Sequence, residues 1–225
     1  ISTYMRMLRS IYNRGVDMHQ APYVHGLFRD VFTGVDTRQK KAIPIGELHM
    51  LLNKDPQSEK LRRTQAIANL LFQFCGMPFS DLAHLKKSNL ERGLLKYNRT
   101  KTGTPMSIEV LESAQNAIGG LYNKSDARSS GYPDYLFRIL SGAYKRNEEG
   151  AYREYQSALR RFNNELKSLS RKLRLHSPVT SYTLRHSWAT TAKYRGVPIE
   201  MISESLGHKS IKTTQIYLKG FELEE

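Results

Sequence analysis

The sequence predicts a mainly helical protein carrying one small antiparallel sheet, an α+β fold. Two observations predict it. Apolar residues recur at spacings of three and four through most of the chain, which marks helices with one buried face. Short β-prone runs are confined to residues 89–110, where they flank a glycine-containing turn. Repeats, heptads and low-complexity tracts are not seen.

In order along the chain, Ile1, Tyr4, Leu8 and Ile11 make one apolar stripe, so residues 1–20 read as a helix, with Arg6, Arg9 and Arg14 off the stripe. Ala21 to Thr37 holds Pro22, Gly26 and Gly34 and reads as a linker. A second helix starts near Pro44 with Ile45, Leu48, Leu51 and Leu52, and breaks at Asp55-Pro56. A long apolar helix spans Ser58 to Cys75 and ends at Gly76-Met77-Pro78; one further turn follows around Asp81 to Leu85. The hairpin pairs 94–97 with 106–110 across Arg99-Thr100-Lys101-Thr102-Gly103-Thr104-Pro105. Leu111–Ile118 is helical, and 119–134, rich in Gly, Ser, Asn and Asp, is a loop. Residues 148–174 make a helix of about seven turns. From Arg138 to Arg174 there are ten Lys/Arg against four Asp/Glu, which suits either a phosphate-facing surface or a solvated helix face. Pro178 leads into a helix over Thr180–Tyr194, Gly196 and Pro198 precede a short helix over 199–206, Gly207 stops it, and a last helix covers Ser210–Leu218.

The formal charge of +14 and a pI near 9.8 favour a polyanionic partner by long-range attraction. A single cysteine, Cys75, excludes an internal disulfide, fits a reducing compartment and reads as a small buried hydrophobe. No stretch approaches the ~20 apolar residues of a membrane span. Seven scattered histidines and one cysteine do not suggest a zinc site, no acidic cluster suggests a two-metal nuclease, and no glycine-rich phosphate loop occurs, so no cofactor or metal and no small-molecule substrate is expected. The chain does not begin with methionine and reads as a piece of a longer one.

The chemistry concentrates between Thr180 and Leu218. Arg185-His186 lies near a helix start, Gly207-His208 follows 22 residues on, and Tyr217 comes nine residues after His208. An arginine fork can neutralise a phosphate, a histidine can move a proton, and a tyrosine can attack phosphorus and form a covalent ester. Together these roles suffice to cut and rejoin a nucleic-acid backbone without a metal.

The order Leu-Arg-His, Leu-Gly-His, Tyr resembles the tyrosine recombinase (phage integrase) family, over about residues 38–218. The resemblance implies the helical catalytic-domain fold of that family, with a three-stranded sheet at one edge. Residues 38–225 would be the catalytic domain, and residues 1–37 the last helix of a core-binding domain with its linker. It implies Tyr217 as the nucleophile that holds a 3′ end as a phosphotyrosine, and Arg185 as a phosphate clamp. His208 would be a phosphate hydrogen-bond partner or proton acceptor, and Lys101, on the β-turn, the proton donor to the leaving 5′-oxygen. His186 would be a supporting residue on another helix face. Lys209, Lys212 and Arg99 are further candidates for DNA contact. The implied partners are double-stranded DNA at a recombination site and further copies of the chain, as a tetramer on DNA. The implied location is the bacterial cytoplasm, on the nucleoid.

Two positions depart from the family pattern. Pro78, in Gly-Met-Pro-Phe, stands where the family has its first arginine, and Tyr182 stands where it usually has histidine or lysine; Tyr182 is a candidate catalytic hydrogen-bond donor without charge. Arg62, Arg63 or Lys86 would be substitutes for the missing charge, and Asp81 would tie down nearby backbone or cations. The Gly-Met-Pro-Phe run resembles integrases of mobile elements in Bacteroides-type bacteria. The functional expectation is a site-specific DNA recombinase; a cleavage-deficient DNA-binding protein on the same fold and a type IB topoisomerase-like enzyme are the alternatives.

Overall fold

The computed structural model describes residues 2–31, 42–122, 134–145 and 147–219; the side chains of residues 216, 217 and 219 lie outside the description. The chain divides into two compact units, Ile1–Gln39 and Lys40–Glu225.

In the first unit, α1 (Ser2–Asp17) is followed by a segment that folds back onto it. The Tyr12 hydroxyl donates to the Pro22 carbonyl at 2.8 Å and accepts from the Val24 N–H at 2.7 Å, and its ring meets Phe28. The described part of the expected linker is therefore a stretch of turns fastened to the helix by one tyrosine, a long-range tie that composition does not announce. Tyr4, Leu8 and Ile11 of the apolar stripe are exposed within this chain.

In the second unit, α2 (Ile45–Asn53) leads to α3 (Glu59–Gln73), which packs against α2 and against three later helices, α5 (Glu112–Leu121), α6 (Glu149–Lys172) and α7 (Ser181–Tyr194). The apolar spacing seen in the sequence puts Ile67, Leu70, Leu71 and Phe74 into the core. The end of α3 is sharp because Cys75 and Gly76 both take left-handed backbone angles, φ +55° and +64°. A short α4 (Phe79–Ala83) follows Pro78, whose fixed φ suits the position before a helix.

A meander of β1 (Leu90–Glu91), β2 (Leu94–Asn98) and β3 (Pro105–Glu109) gives a three-stranded antiparallel sheet, with Leu95 opposite Ile108 and Tyr97 opposite Met106. Leu95 and Ile108 point to the core while Lys96 and Ser107 face out, the two-residue period of a half-buried sheet. Helix α5 runs three residues past the predicted end, through Gly119 and Gly120, because Ile118 and Leu121 are packed on the core and outweigh the poor helix propensity of glycine. Residues 123–133 of the expected loop lie outside the described residues.

Thr180 caps α7 through a reciprocal pair, the Thr183 N–H to its hydroxyl and its own N–H to the Thr183 hydroxyl. Helices α8 (Ile199–Ser205) and α9 (Ile211–Lys219) close the unit against α7 through a second small core of Ala189, Ile202, Leu206 and Leu218. This mainly helical fold with one small antiparallel sheet is the expected class.

Candidate phosphodiester site

The site forms where four segments meet: the α3–α4 corner, the β2–β3 turn, α7 and the α8–α9 corner. At the end of α8, Gly207 adopts φ +65°, its N–H bonds the Glu204 carbonyl, and the His208 N–H bonds the Ser203 carbonyl. This double bond pattern ends the helix and fixes the direction of His208. A β-carbon on Gly207 would lie 2.9 Å from Cγ of Arg99 and 2.9 Å from the sulfur of Met106, so any side chain there must displace one of them.

Arg185 projects from α7 and is only 6 % exposed. Its Nη1 donates to the Gly76 carbonyl at 2.8 Å, and its Nη2 donates to the Leu206 carbonyl at 2.6 Å. Gly76 is required here because a β-carbon would sit 3.1 Å from the Arg185 backbone. Nη2 also lies 3.4 Å from Nε2 of His208, while Nδ1 of His208 meets the hydroxyl of the buried Thr214 at 2.8 Å. Arginine can only donate, so the neutral His208 places its lone pair on Nε2 and its proton on Nδ1.

Arg99, a candidate for DNA contact, is buried at 7 % exposure. The β2 alternation carries it inward: Leu95, Tyr97 and Arg99 follow one face. Its Nη1 donates to the same Leu206 carbonyl that Arg185 uses. Its Nε lies 3.1 Å from Oδ2 of the buried Asp81, an ion pair whose N–H is not aimed along the contact. Oδ1 of Asp81 accepts the Thr100 N–H at 3.1 Å, so Asp81 holds both a cation and the turn backbone.

The turn itself docks on the α8–α9 corner. The Thr102 and Thr104 hydroxyls donate to the Gly207 carbonyl at 3.3 and 3.4 Å. Gly103, at φ +69°, reverses the chain, and Lys101 beside it is exposed. Lys209 and Lys212 are exposed just beyond His208.

Other expected residues fall differently. Tyr182 is half-exposed, its ring edge-on to that of the buried His186, 4.4 Å between centroids. Arg62 is held by Asp55 and Glu59, Arg63 donates to the Arg138 carbonyl, and Lys86 is exposed where its backbone bridges to Tyr135. The Tyr217 backbone belongs to α9, between Thr214 and the buried Leu218; its side chain lies outside the described residues. Sequence reading did not anticipate the Thr214 bond or the threonine ties to Gly207. For Arg99 the signal was available, in the period-two face of β2.

Burial, then the charges of Arg185, Arg99 and Lys101, push the His208 pKa down to about 4 from an ordinary 6.5. Burial holds the Cys75 thiol above its usual range, so it stays protonated. Because the folded chain resists protonating His208, an unfolded chain binds the extra proton between about pH 6.5 and 4. The stability is therefore complete above pH 6.5 and is lost as pH falls through that window. Allowing for the partial exposure of the imidazole, the expected loss between pH 7.5 and 5 is about 1 kcal/mol. Urea unfolding at the two pH values checks it: His208→Gln should flatten the difference by that amount, and equal slopes in the two proteins would show that the neighbours do not hold the imidazole neutral.

Among the described residues, no group of three or more His, Cys, Asp and Glu is placed to hold a metal ion, and no helix is long and apolar enough to cross a membrane. Residues 45–223 match the phage integrase family. The chain belongs to the phage integrase family. It is 29 % identical over 204 residues to a probable integrase/recombinase protein of Methanocaldococcus jannaschii, covering 88 % of this chain and 58 % of that one. It is 30 % identical over 182 residues to tyrosine recombinase XerA of Thermococcus kodakarensis, covering 80 % of this chain and 58 % of the relative. The chain thus spans less than three fifths of the length of these curated relatives. In fold it resembles a lambda integrase crystallised as a dimer on a core site, with a TM-score of 0.65 at 13 % identity over 99 % of this chain and 74 % of that one. The phage integrase family fold is thus the fold of this chain.

Proposed function

We propose that this chain carries the catalytic domain, residues 38–225, of a site-specific DNA recombinase. In this reading it cleaves and rejoins DNA through a 3′-phosphotyrosine to integrate or excise a mobile element, with residues 1–37 ending a core-binding domain. The observation that carries the reading is the meeting of Arg185, His208 and the Lys101 turn around the carbonyls of Leu206 and Gly207, at the corner that leads into the helix bearing Tyr217. Curated relatives named as recombinases support the same reading.

In the reaction, the Tyr217 phenol oxygen attacks phosphorus and the bond from phosphorus to the 5′-oxygen breaks. The phenolic proton leaves to His208, and Lys101 protonates the departing 5′-oxygen. Arg185 neutralises the non-bridging oxygens as charge builds on them. Before DNA arrives His208 is a weak base, because it is partly buried and three cations act on it. A bound phosphate offsets those cations and raises its basicity, so the proton acceptor strengthens when the substrate is in place. Tyr182 stands by as an uncharged hydrogen-bond donor, and Lys209 and Lys212 meet neighbouring phosphates. The ester conserves the energy of the broken bond, so rejoining needs no nucleotide cofactor, and the side chains cover each role without a metal. Strand exchange between two duplexes takes four such sites, hence a tetramer on DNA.

The test is to incubate the protein with nicked duplexes carrying its own recombination site. A protein–DNA species that survives denaturant supports the reading. Binding to the site with no such species sinks it, and relaxation of plasmids lacking the site would favour a topoisomerase.

A further inference from the structure

A pentavalent phosphorus carries its developing charge on two non-bridging oxygens, and the roles above give the phosphate one buried guanidinium. We infer that Arg99, at the end of β2, is the second guanidinium of the phosphate clamp and contacts a non-bridging oxygen of the scissile phosphate. The inference rests on the phosphodiester reading of this site.

Three observations carry it. Arg99 and Arg185 lie at nearly the same depth, 7 % and 6 % exposed, and both donate to the Leu206 carbonyl. Two donors on one oxygen lie within about two hydrogen-bond lengths of each other. Second, the charges do not balance. Arg99, Arg185 and Lys101 act together on His208, while Asp81 is the carboxylate that pairs with Arg99. Packing cations side by side out of water is costly unless an anion joins them. A phosphate is such an anion, and it accepts from two guanidinium forks in favourable geometry. Third, Arg99 is held with an edge to spare. Nε faces Asp81, Nη1 takes the Leu206 carbonyl, and Nη2 has no acceptor among the described residues. Glycine at 207 leaves room for its methylenes, so the side chain is seated against the residue that precedes His208.

A purely structural Arg99 would be a strut joining the hairpin to α8, and the test separates the two roles. In the full-length chain, wild type, Arg99→Ala and Arg99→Lys are compared for single-turnover covalent attachment to the recombination site. The scissile group is an ordinary phosphate in one substrate and a methylphosphonate in the other, which has a methyl in place of one charged oxygen. The expected result on phosphate is a loss of about 100-fold or more for Arg99→Ala, with a smaller loss for Arg99→Lys. On methylphosphonate there is less charge to neutralise, so Arg99→Ala should come within about tenfold of wild type, following the same charge-stabilisation argument. An equal deficit on both substrates makes Arg99 a strut and overturns the inference, as does an Arg99→Ala protein as fast as wild type on phosphate. The methylphosphonate comparison also answers the case of a poorly folded variant, since misfolding slows both substrates alike. A wild type that forms no adduct with either substrate removes the phosphodiester reading and this inference together; a reactive wild type beside an unimpaired Arg99→Ala removes the inference alone.

Discussion

Tyr217→Phe should abolish covalent attachment to DNA while leaving fold and DNA affinity intact. The substitution deletes one oxygen and keeps the ring, so the helix that carries it loses no packing volume. The backbone there is fixed from both sides. Thr214, one turn earlier, is fully buried and bonded to His208, and Leu218 is buried in the small core that joins α9 to α7 and α8. The bonds described for the rest of the site, from Arg185 to the turn bearing Lys101, join residues other than Tyr217. Binding, set by the basic surface and its phosphate contacts, should therefore match wild type. The phenol oxygen is the atom that forms the ester, so the loss should be complete rather than partial. Denaturing gels of a nicked recombination site and a binding titration check both halves. An adduct that persists in the variant, or one that maps to another of the 13 tyrosines, rules Tyr217 out as the nucleophile.

Periodicity was enough to place α3, because its apolar face is continuous and meets the main core. The end of α3 was also legible, since Gly76 marks a backbone turn and the close passage of α7 demands the absence of a side chain there. Less legible was anything decided by contact between distant segments. The Gly119-Gly120 pair looks like a loop signal, yet core packing of Ile118 and Leu121 carries the helix through it. In the site, Arg185 and His208 stood out through local motifs, and the lysine turn through the resemblance those motifs carry. The origin of the buried second guanidinium could not be read from charge alone. Arg62 and Arg63 precede Pro78 in sequence, but Arg62 is paired with Asp55 and Arg63 donates to the Arg138 carbonyl. Arg99 reaches Leu206 across 107 positions of sequence, through the pairing of a strand and the omission of a side chain at Gly207.

Arg185→Ala should have the second large effect, a fall in covalent attachment of roughly a thousandfold or more, within the range seen when a phosphate-clamping arginine is removed. Its guanidinium is the group that spans the site, from the Gly76 carbonyl to the Leu206 carbonyl and the edge of His208. Alanine takes the Arg185 donor from the Gly76 carbonyl, which costs about 1–3 kcal/mol, while the Leu206 carbonyl keeps Arg99. It also removes one of two crowded cations, which offsets part of that cost, so a measurable but survivable drop in melting temperature is expected. The same change acts on His208 in a way that a merely structural arginine would not. Burial and the charge of Arg185 are the two largest causes holding that imidazole down near 4, so its titration should move up toward 6.5 in the variant. Nuclear magnetic resonance of the His208 ring protons, with unfolding curves recorded on the same sample, reads both effects. Arg185→Lys separates charge from fork. A lysine restores one positive charge but reaches the two carbonyls and a phosphate less well, so attachment should recover only in part while the His208 titration moves back down. If the rate loss in Arg185→Ala equals the fraction of protein unfolded, and the His208 titration stays where it was, Arg185 holds the fold and the clamp lies elsewhere.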